Sequence, residues 1–300
     1  MLEVKNLYKK YNGVFAVNNI SFQAKPGIIF GLLGPNGAGK TTTMRMILNI
    51  IKPTAGQILF DGITSLNDLY NQVGYLPEER GLYKKSSVID LILYFASLKG
   101  MKKKIAKIEA EKWLNRLGIK DLVSRKIEKL SKGNQQKVQF ITSIIHNPEI
   151  LILDEPFTGF DPIIQQDIKN LMIDFANSGK ILILSTHQMD FAEKLCSDIF
   201  LINKGKEVCS GNLSEIKKKF GGQHIKIIYN GNGNFLKTDE NLLHYEVFSN
   251  YTELQLKDSV KPSDYLKSII NKTSITHFSV IEPSLNKIFI DFVNQSSGKV

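Results

Sequence analysis

Residues 34–41 read GPNGAGKT, a G-x-x-x-x-G-K-[ST] run fixed by Gly34, Gly39, Lys40 and Thr41. That spacing suits a loop that wraps phosphate oxygens. Gly37 and Gly39 let backbone N–H groups turn inward with no side chain in the way, and the start of a following helix adds partial positive charge. The Lys40 ammonium reaches the β and γ phosphates of a nucleoside triphosphate, and the Thr41 hydroxyl can ligate Mg²⁺. A purely structural glycine turn is the competing reading, disfavoured by the strand-loop-helix setting.

A second stretch, PEILILDEP (148–156), ends an apolar run in acid. Ile150 to Leu153 suit a parallel strand buried on both faces, whose carboxyl end is where α/β sheets place ligands. Asp154 there is expected to hold Mg²⁺ through water, and Glu155 to polarise an attacking water as general base. KILILSTHQ (180–188) repeats the pattern. A lone histidine is usually structural, but after a strand of the same sheet His187 becomes a candidate sensor of the γ phosphate.

These groups need elements to hold them. An apolar strand, IIFGLL, leads into the glycine loop and an amphipathic helix leaves it. Residues 1–83 read as strands around that loop and its helix, 84–147 as helices, and 148–210 as alternating strand and helix. SVIDLILYFASLKG (87–100) has apolar residues at helical spacing, so Tyr94 and Phe95 are expected in packing, as is Trp113. From residue 223, HIKIIYN, LHYEVFS, TELQLKD and ITHFSVIE read as strands, and PSDYLKSIIN and PSLNKIFIDFV as helices. A small α+β domain follows from that order. Its histidines, His224, His244 and His277, carry no ligand spacing.

With 300 residues, the chain is long enough for about two domains. The two cysteines, Cys196 and Cys209, cannot build a disulfide framework and suit a reducing compartment. No apolar run is long enough to span a bilayer and the first residues lack a signal-peptide hydrophobic region, so a soluble, cytoplasmic chain is expected. The net charge of +10 lies wholly in residues 1–222, because 223–300 hold 8 Lys against 8 Asp plus Glu. Its lysine clusters at 83–85, 99–107 and 216–220 read first as solvated faces, then as contacts to anionic lipid or a membrane partner's loops. Nucleic acid is not expected as a partner, because the lysines are not interleaved with aromatics.

Between the two acid-ending and polar-ending strands and the glycine loop lies KLSKGNQQKVQFI (129–141). With it, the chain resembles the ATP-binding cassette (ABC) ATPases of transporters, continuously over residues 1–222. LSKGNQQ is similar to the family's LSGGQ signature, FTGFD ending at Asp161 to its D-loop, and Tyr11 to the aromatic that stacks on adenine. The resemblance implies an α/β P-loop NTPase cassette at 1–222, with a mixed sheet core and a helical signature subdomain at about 84–147. The α+β domain at 223–300 is then an accessory for docking, dimerising, regulation or stability. ATP is implied as ligand, with Tyr11 stacking on the base and with Val17, Asn36, Gly37, Ala38, Gly39, Lys40, Thr41 and Thr42 as further binding residues. Mg²⁺ is implied at Thr41, Asp154 and Glu78.

Two departures stand out. Lys132 and Asn134 replace the usual glycine and glutamine of the signature, while Ser131 and Gly133, the family's γ-phosphate contacts, remain. In GYLPEERGLY (74–83), Glu78 stands where the family has a glutamine that links the Mg²⁺ site to the transporter. These forms look similar to a bacterial exporter subgroup that includes sodium-efflux and drug-resistance ATPases. The resemblance further implies that ATP is sandwiched between the P-loop of one subunit and the signature of another. One chain has one of each. A homodimer, or a second cassette, and a separately encoded membrane permease are therefore expected, at the cytoplasmic face of the membrane. An importer ATPase is the closest alternative. A P-loop phosphotransferase has no use for the signature, a DNA-repair cassette needs a long coiled-coil insertion that Lys40 to Ser131 leaves no room for, and translation cassettes usually come as two in one chain.

Overall fold

The structure, a computed structural model, describes residues 1–63, 70–79, 81–157, 162–220 and 223–296. It divides into two compact units, Met1–Gly211 and Asn212–Val300. The first contains, in chain order, β1 (Leu2–Tyr11), β2 (Val14–Ala24), β3 (Ile29–Leu33), α1 (Lys40–Ile47), β4 (Ala55–Phe60) and β5 (Val73–Leu76). Helices α2 (Val88–Leu98), α3 (Lys103–Arg116) and α4 (Lys132–Ile144) follow, then β6 (Ile150–Asp154), α5 (Pro162–Asn177), β7 (Ile181–Thr186), α6 (Met189–Leu195), β8 (Asp198–Asn203) and β9 (Lys206–Asn212).

The central sheet has the order β5-β6-β7-β3-β8-β9, with the pairs from β5 through β8 parallel. Parallel strands covered on both faces should be apolar throughout, and β3, β6 and β7 are buried at every residue. Their alternation assigns each residue to a layer. Phe30, Leu32, Ile150, Ile152, Ile181, Ile183, Phe200 and Ile202 join one core with α1 and the antiparallel sheet β2-β1-β4. Within it Phe22 of β2 stacks on Phe30, ring centroids 5.0 Å apart. The intervening Leu151, Leu153, Leu182 and Leu184 are equally buried, and α5 and α6 pack against β7 and β3.

Helices α2, α3 and α4 pack on one another, and α4 also contacts β5. Ser87 caps α2 by accepting from the Asp90 N–H at 3.2 Å. Ser131 does the same for α4 from the Asn134 N–H at 3.3 Å.

The second unit starts at 212, earlier than the 222/223 boundary read from the sequence. Helix α7 (Leu213–Phe220) contacts α9 (Leu285–Ser296) of the same unit. Between them run β10 (Gln223–Asn230), β11 (Leu242–Val247), β12 (Thr252–Leu256), α8 (Pro262–Ile269) and β13 (Ser274–Ile281). The four strands form an antiparallel sheet of order β11-β12-β10-β13. Ile225, Ile227, Leu254 and Leu256 meet Tyr265 and Ile269 of α8 in a core of their own. Among the described residues no helix is long and apolar enough to cross a membrane.

Candidate active site

The glycine loop lies between β3 and α1. Gly39 has φ +110°, and a Cβ there would stand 2.5 Å from the Ala16 carbonyl oxygen. At Gly34 a Cβ would meet the Ile202 oxygen at 2.1 Å. Both positions therefore require glycine, for conformation and for the close passage of β2 and β8 beneath the loop. Gly37, φ +76°, has open space instead. Helix α1 begins at Lys40 with no side-chain cap, so the N–H groups of its first turn remain available to an anion.

Lys40 is buried, and its Nζ donates to the Gly34 oxygen at 2.7 Å and the Pro35 oxygen at 3.1 Å. Burial lowers its pKa, while Glu155, Asp154 and Glu78 oppose that shift. The ammonium is held by its own loop in a position that oxygens of a bound phosphate could take over.

Asp154 ends β6 and sits on both sides of the loop's chemistry. Its Oδ2 accepts from the Thr41 hydroxyl at 3.2 Å and its Oδ1 from the Ser185 hydroxyl at 3.0 Å. Burial raises its pKa, the Ser185 and Thr41 bonds lower it, and the neighbouring Glu78 and Glu155 raise it further. A carboxylate in that position is relieved by a cation.

Glu155 has φ +49°, in the left-handed region, and its N–H donates to the Ser185 oxygen at 2.9 Å. That turn brings its side chain back under β7. Oε2 accepts from the Thr186 hydroxyl at 2.9 Å. Oε1 accepts from the His187 N–H at 2.8 Å, lies 2.7 Å from His187 Nδ1, and is 3.7 Å from Lys40 Nζ. When that carboxylate is ionised it only accepts, and the contact then needs the proton on Nδ1 of His187.

A cavity of about 220 Å³ is lined by Asn36 through Thr42 of the loop together with Ala16, Glu78, Asp154 and Glu155. It gathers the expected Asn36, Gly37, Ala38, Gly39, Lys40, Thr41 and Thr42 with the three carboxylates. Val17 is placed differently: its side chain is fully buried in the core and its neighbour Ala16 lines the cavity. Tyr11, at the end of β1, is 47% exposed with the Lys9 ammonium 5.0 Å from its ring centre, and it does not line the cavity. Ser131 and Gly133 open α4 and do not line it either. Asp161 falls outside the described residues. Ser185 and Thr186, which hold the two acids, were not singled out by motif; the signal was the polar end of the ILILST run.

The acids and hydroxyl suit Mg²⁺. Among the described residues no group of three or more His, Cys, Asp or Glu could hold a metal. A Mg²⁺ that travels with nucleotide does not need one, since it keeps waters and phosphate oxygens and uses one or two protein oxygens.

A second, larger cavity of about 660 Å³ adjoins the first through the Glu78 loop. Pro77 and Gly81 line it, with Ile47 of α1, Tyr75 of β5 and Phe95 of α2. Gln139 of α4 is buried and donates to the Pro77 oxygen at 3.4 Å and the Glu79 oxygen at 3.3 Å. One helix thus carries the signature at its start and grips the Glu78 loop further along.

Residues 17–158 match the family described as ABC transporter, and residues 211–293 match the C-terminal domain of DrrA1-3-like ATP-binding proteins. An uncharacterised ABC transporter ATP-binding protein of Bacillus subtilis, YhaQ, is 41% identical over 293 residues, covering 98% of each chain. The linearmycin resistance ATP-binding protein LnrL of the same organism is 28% identical over 309 aligned residues, 99% of each chain. A solved structure described as the ATP-binding subunit of an ABC transporter superposes with a TM-score of 0.68 at 28% identity, covering 73% of this chain and 93% of that one. The loop and strand-end acids thus lie in an ATP-hydrolysing cassette, and the chain belongs to the ATP-binding subunits of ABC transporters.

Proposed function

We propose that two copies of this chain close on two ATP molecules and so drive export through a separately encoded membrane permease, at the cytoplasmic face of the membrane. The observation that carries this reading is the division of the site. The loop, Lys40 and the acids share one cavity, while Ser131 and Gly133, at the start of α4, do not line it. A second copy that brings them to the γ phosphate would complete the site.

In this reading the loop N–H groups and Lys40 bind the phosphates, and Tyr11 offers its exposed ring to the base. Thr41 and Asp154 would hold Mg²⁺, with Glu78 beside them, and the ion would supply neutralisation of phosphate charge. Glu155 takes the proton of the attacking water, and His187, tied to it through Nδ1, reads the γ phosphate with its other nitrogen. The large groove beside Pro77 would take a permease segment, so that binding there is felt at Glu78. Export rather than import is supported by the DrrA1-3-like match of the second unit and by the end-to-end similarity to a resistance protein.

Glu155→Gln keeps the shape and loses the base. The variant is expected to bind ATP without splitting it and to elute as a dimer from a sizing column with MgATP, as a monomer without it. A monomer under saturating MgATP overturns the two-copy site. Direction is tested in cells that express the chain with the membrane protein encoded beside it: lowered accumulation of an antibiotic panel is expected, and raised uptake overturns export.

A further inference from the structure

Half of the chain's net charge is concentrated at one corner of the fold. Residues 97–108, SLKGMKKKIAKI, hold five lysines and no carboxylate, against +10 for the whole chain. They form the end of α2, the turn, and the start of α3. Lys99 turns inward, where its Nζ donates to the Val73 oxygen at 3.1 Å and burial lowers its pKa to about 8. Lys102, Lys103, Lys104 and Lys107 are exposed.

A solvated helix face would be polar all round. This one is not. Helix α3 buries Ala106, Ala110 and Leu114, a stripe at four-residue spacing, and leaves Ile105 and Ile108 off that stripe, 52% and 49% exposed. Helix stability does not account for the lysines, because cations are the unfavourable charge near a helix N-terminus. Nor does local pairing: Glu109, the first acid of α3, is taken by Lys112 at 2.6 Å.

Exposed isoleucines flanked by flexible cations form the pattern of a surface that lies on a bilayer, with apolar groups at the acyl boundary and ammonium groups among the headgroups. Lys103 and Lys104, successive on α3, point about 100° apart and Lys102 precedes the helix in extended backbone, so the three do not converge on one protein groove. A plane of anionic phosphates is reached by all of them through their long stems. The planar forks that favour a specific carboxylate partner are missing, since no arginine occurs in this stretch.

We propose that the α2–α3 corner is a membrane-surface contact, with Lys102, Lys103, Lys104 and Lys107 among anionic phospholipid headgroups and Ile105 and Ile108 in the interfacial layer. It is a lipid contact of the ATPase itself, on α3 and the turn before it, next to the groove whose rim Leu98 and Lys99 form.

The full chain is sedimented with vesicles of phosphatidylcholine alone, or with about a third phosphatidylglycerol. Binding to the anionic vesicles is expected, more than about a hundredfold above the neutral ones at about fivefold per lysine. Lys102→Gln, Lys103→Gln, Lys104→Gln together should lower it on the order of 100-fold, about fivefold per lysine, and the Glu series, which adds repulsion, should lower it further. Ile105→Asn with Ile108→Asn keeps the charge; binding should weaken about tenfold and become reversible by salt. Neither set touches the nucleotide cavity, so basal ATPase activity should stay at the parent rate, which also verifies folding. Equal binding to neutral vesicles, unchanged binding of the Glu and Gln series, or capture by an acidic membrane-protein segment without vesicle binding would each overturn the proposal.

Discussion

Lys40 makes its hydrogen bonds to the Gly34 and Pro35 carbonyls at 2.7 and 3.1 Å. Alanine there removes the charge aimed at the β and γ phosphates, and ATP hydrolysis should fall by about 10³ or more in a phosphate-release assay. Parent turnover in Lys40→Ala would sink the assignment. Tyr11→Ala should weaken nucleotide affinity by about 1 kcal/mol, roughly fivefold, in a titration with a fluorescent ATP analogue. Asp154 brings in pH. Burial raises its pKa, so protonation begins at a higher pH than for an ordinary carboxylate, and a protonated acid cannot face Mg²⁺. On acidification the Mg²⁺ needed for half-maximal hydrolysis should rise, and Asp154→Asn should show the high requirement at every pH. A requirement independent of pH in the parent enzyme would contradict the assignment.

At the level of elements, α4 is the connector. Its first turn carries Ser131 and Gly133, while Gln139, two turns on, holds the backbone of the loop that presents Glu78 to the cavity. A movement of this helix changes both. Glu78 adds a third carboxylate beside Asp154 and Glu155, which costs repulsion but supplies another hard oxygen to a cation. If the cation term dominates, Glu78→Gln should raise the Mg²⁺ requirement of the isolated chain and leave metal-free ATP binding intact. If the loop acts through the permease, soluble ATPase activity should be unchanged and permease-stimulated activity altered. No effect in either assay would remove Glu78 from the site.

For the whole molecule, the division at 211/212 separates two cores. The first spans the six-stranded and three-stranded sheets, and the second is built from Ile225, Ile227, Leu254, Leu256, Tyr265 and Ile269. Neither list draws on the other unit. A chain cut after Gly211 should therefore stay soluble, keep its circular dichroism signature of sheet and helix, and bind ATP with the parent affinity. An insoluble remainder would show that the second unit stabilises the first.

The amino-acid sequence by itself determined the family and the order of elements, because these depend on short contiguous signals: a glycine loop whose φ angles admit nothing else, apolar runs that suit only buried parallel strands, and acids at their ends. It also singled out Lys40, Thr41, Asp154 and Glu155, which line one cavity, since their residue types follow from the chemistry of phosphate and cation. The tertiary structure decided what lies far apart in the chain. Ser185 and Thr186 hold the two acids only because β6 and β7 are neighbours in the sheet, a pairing no local pattern contains. Val17 faces the core and Ala16 the cavity because β2 passes under the loop with one set of alternate residues inward, and a shift of one residue exchanges them. The boundary between units falls at 212, not 222/223, because α7, which the resemblance counts with the cassette, finds its contact on α9.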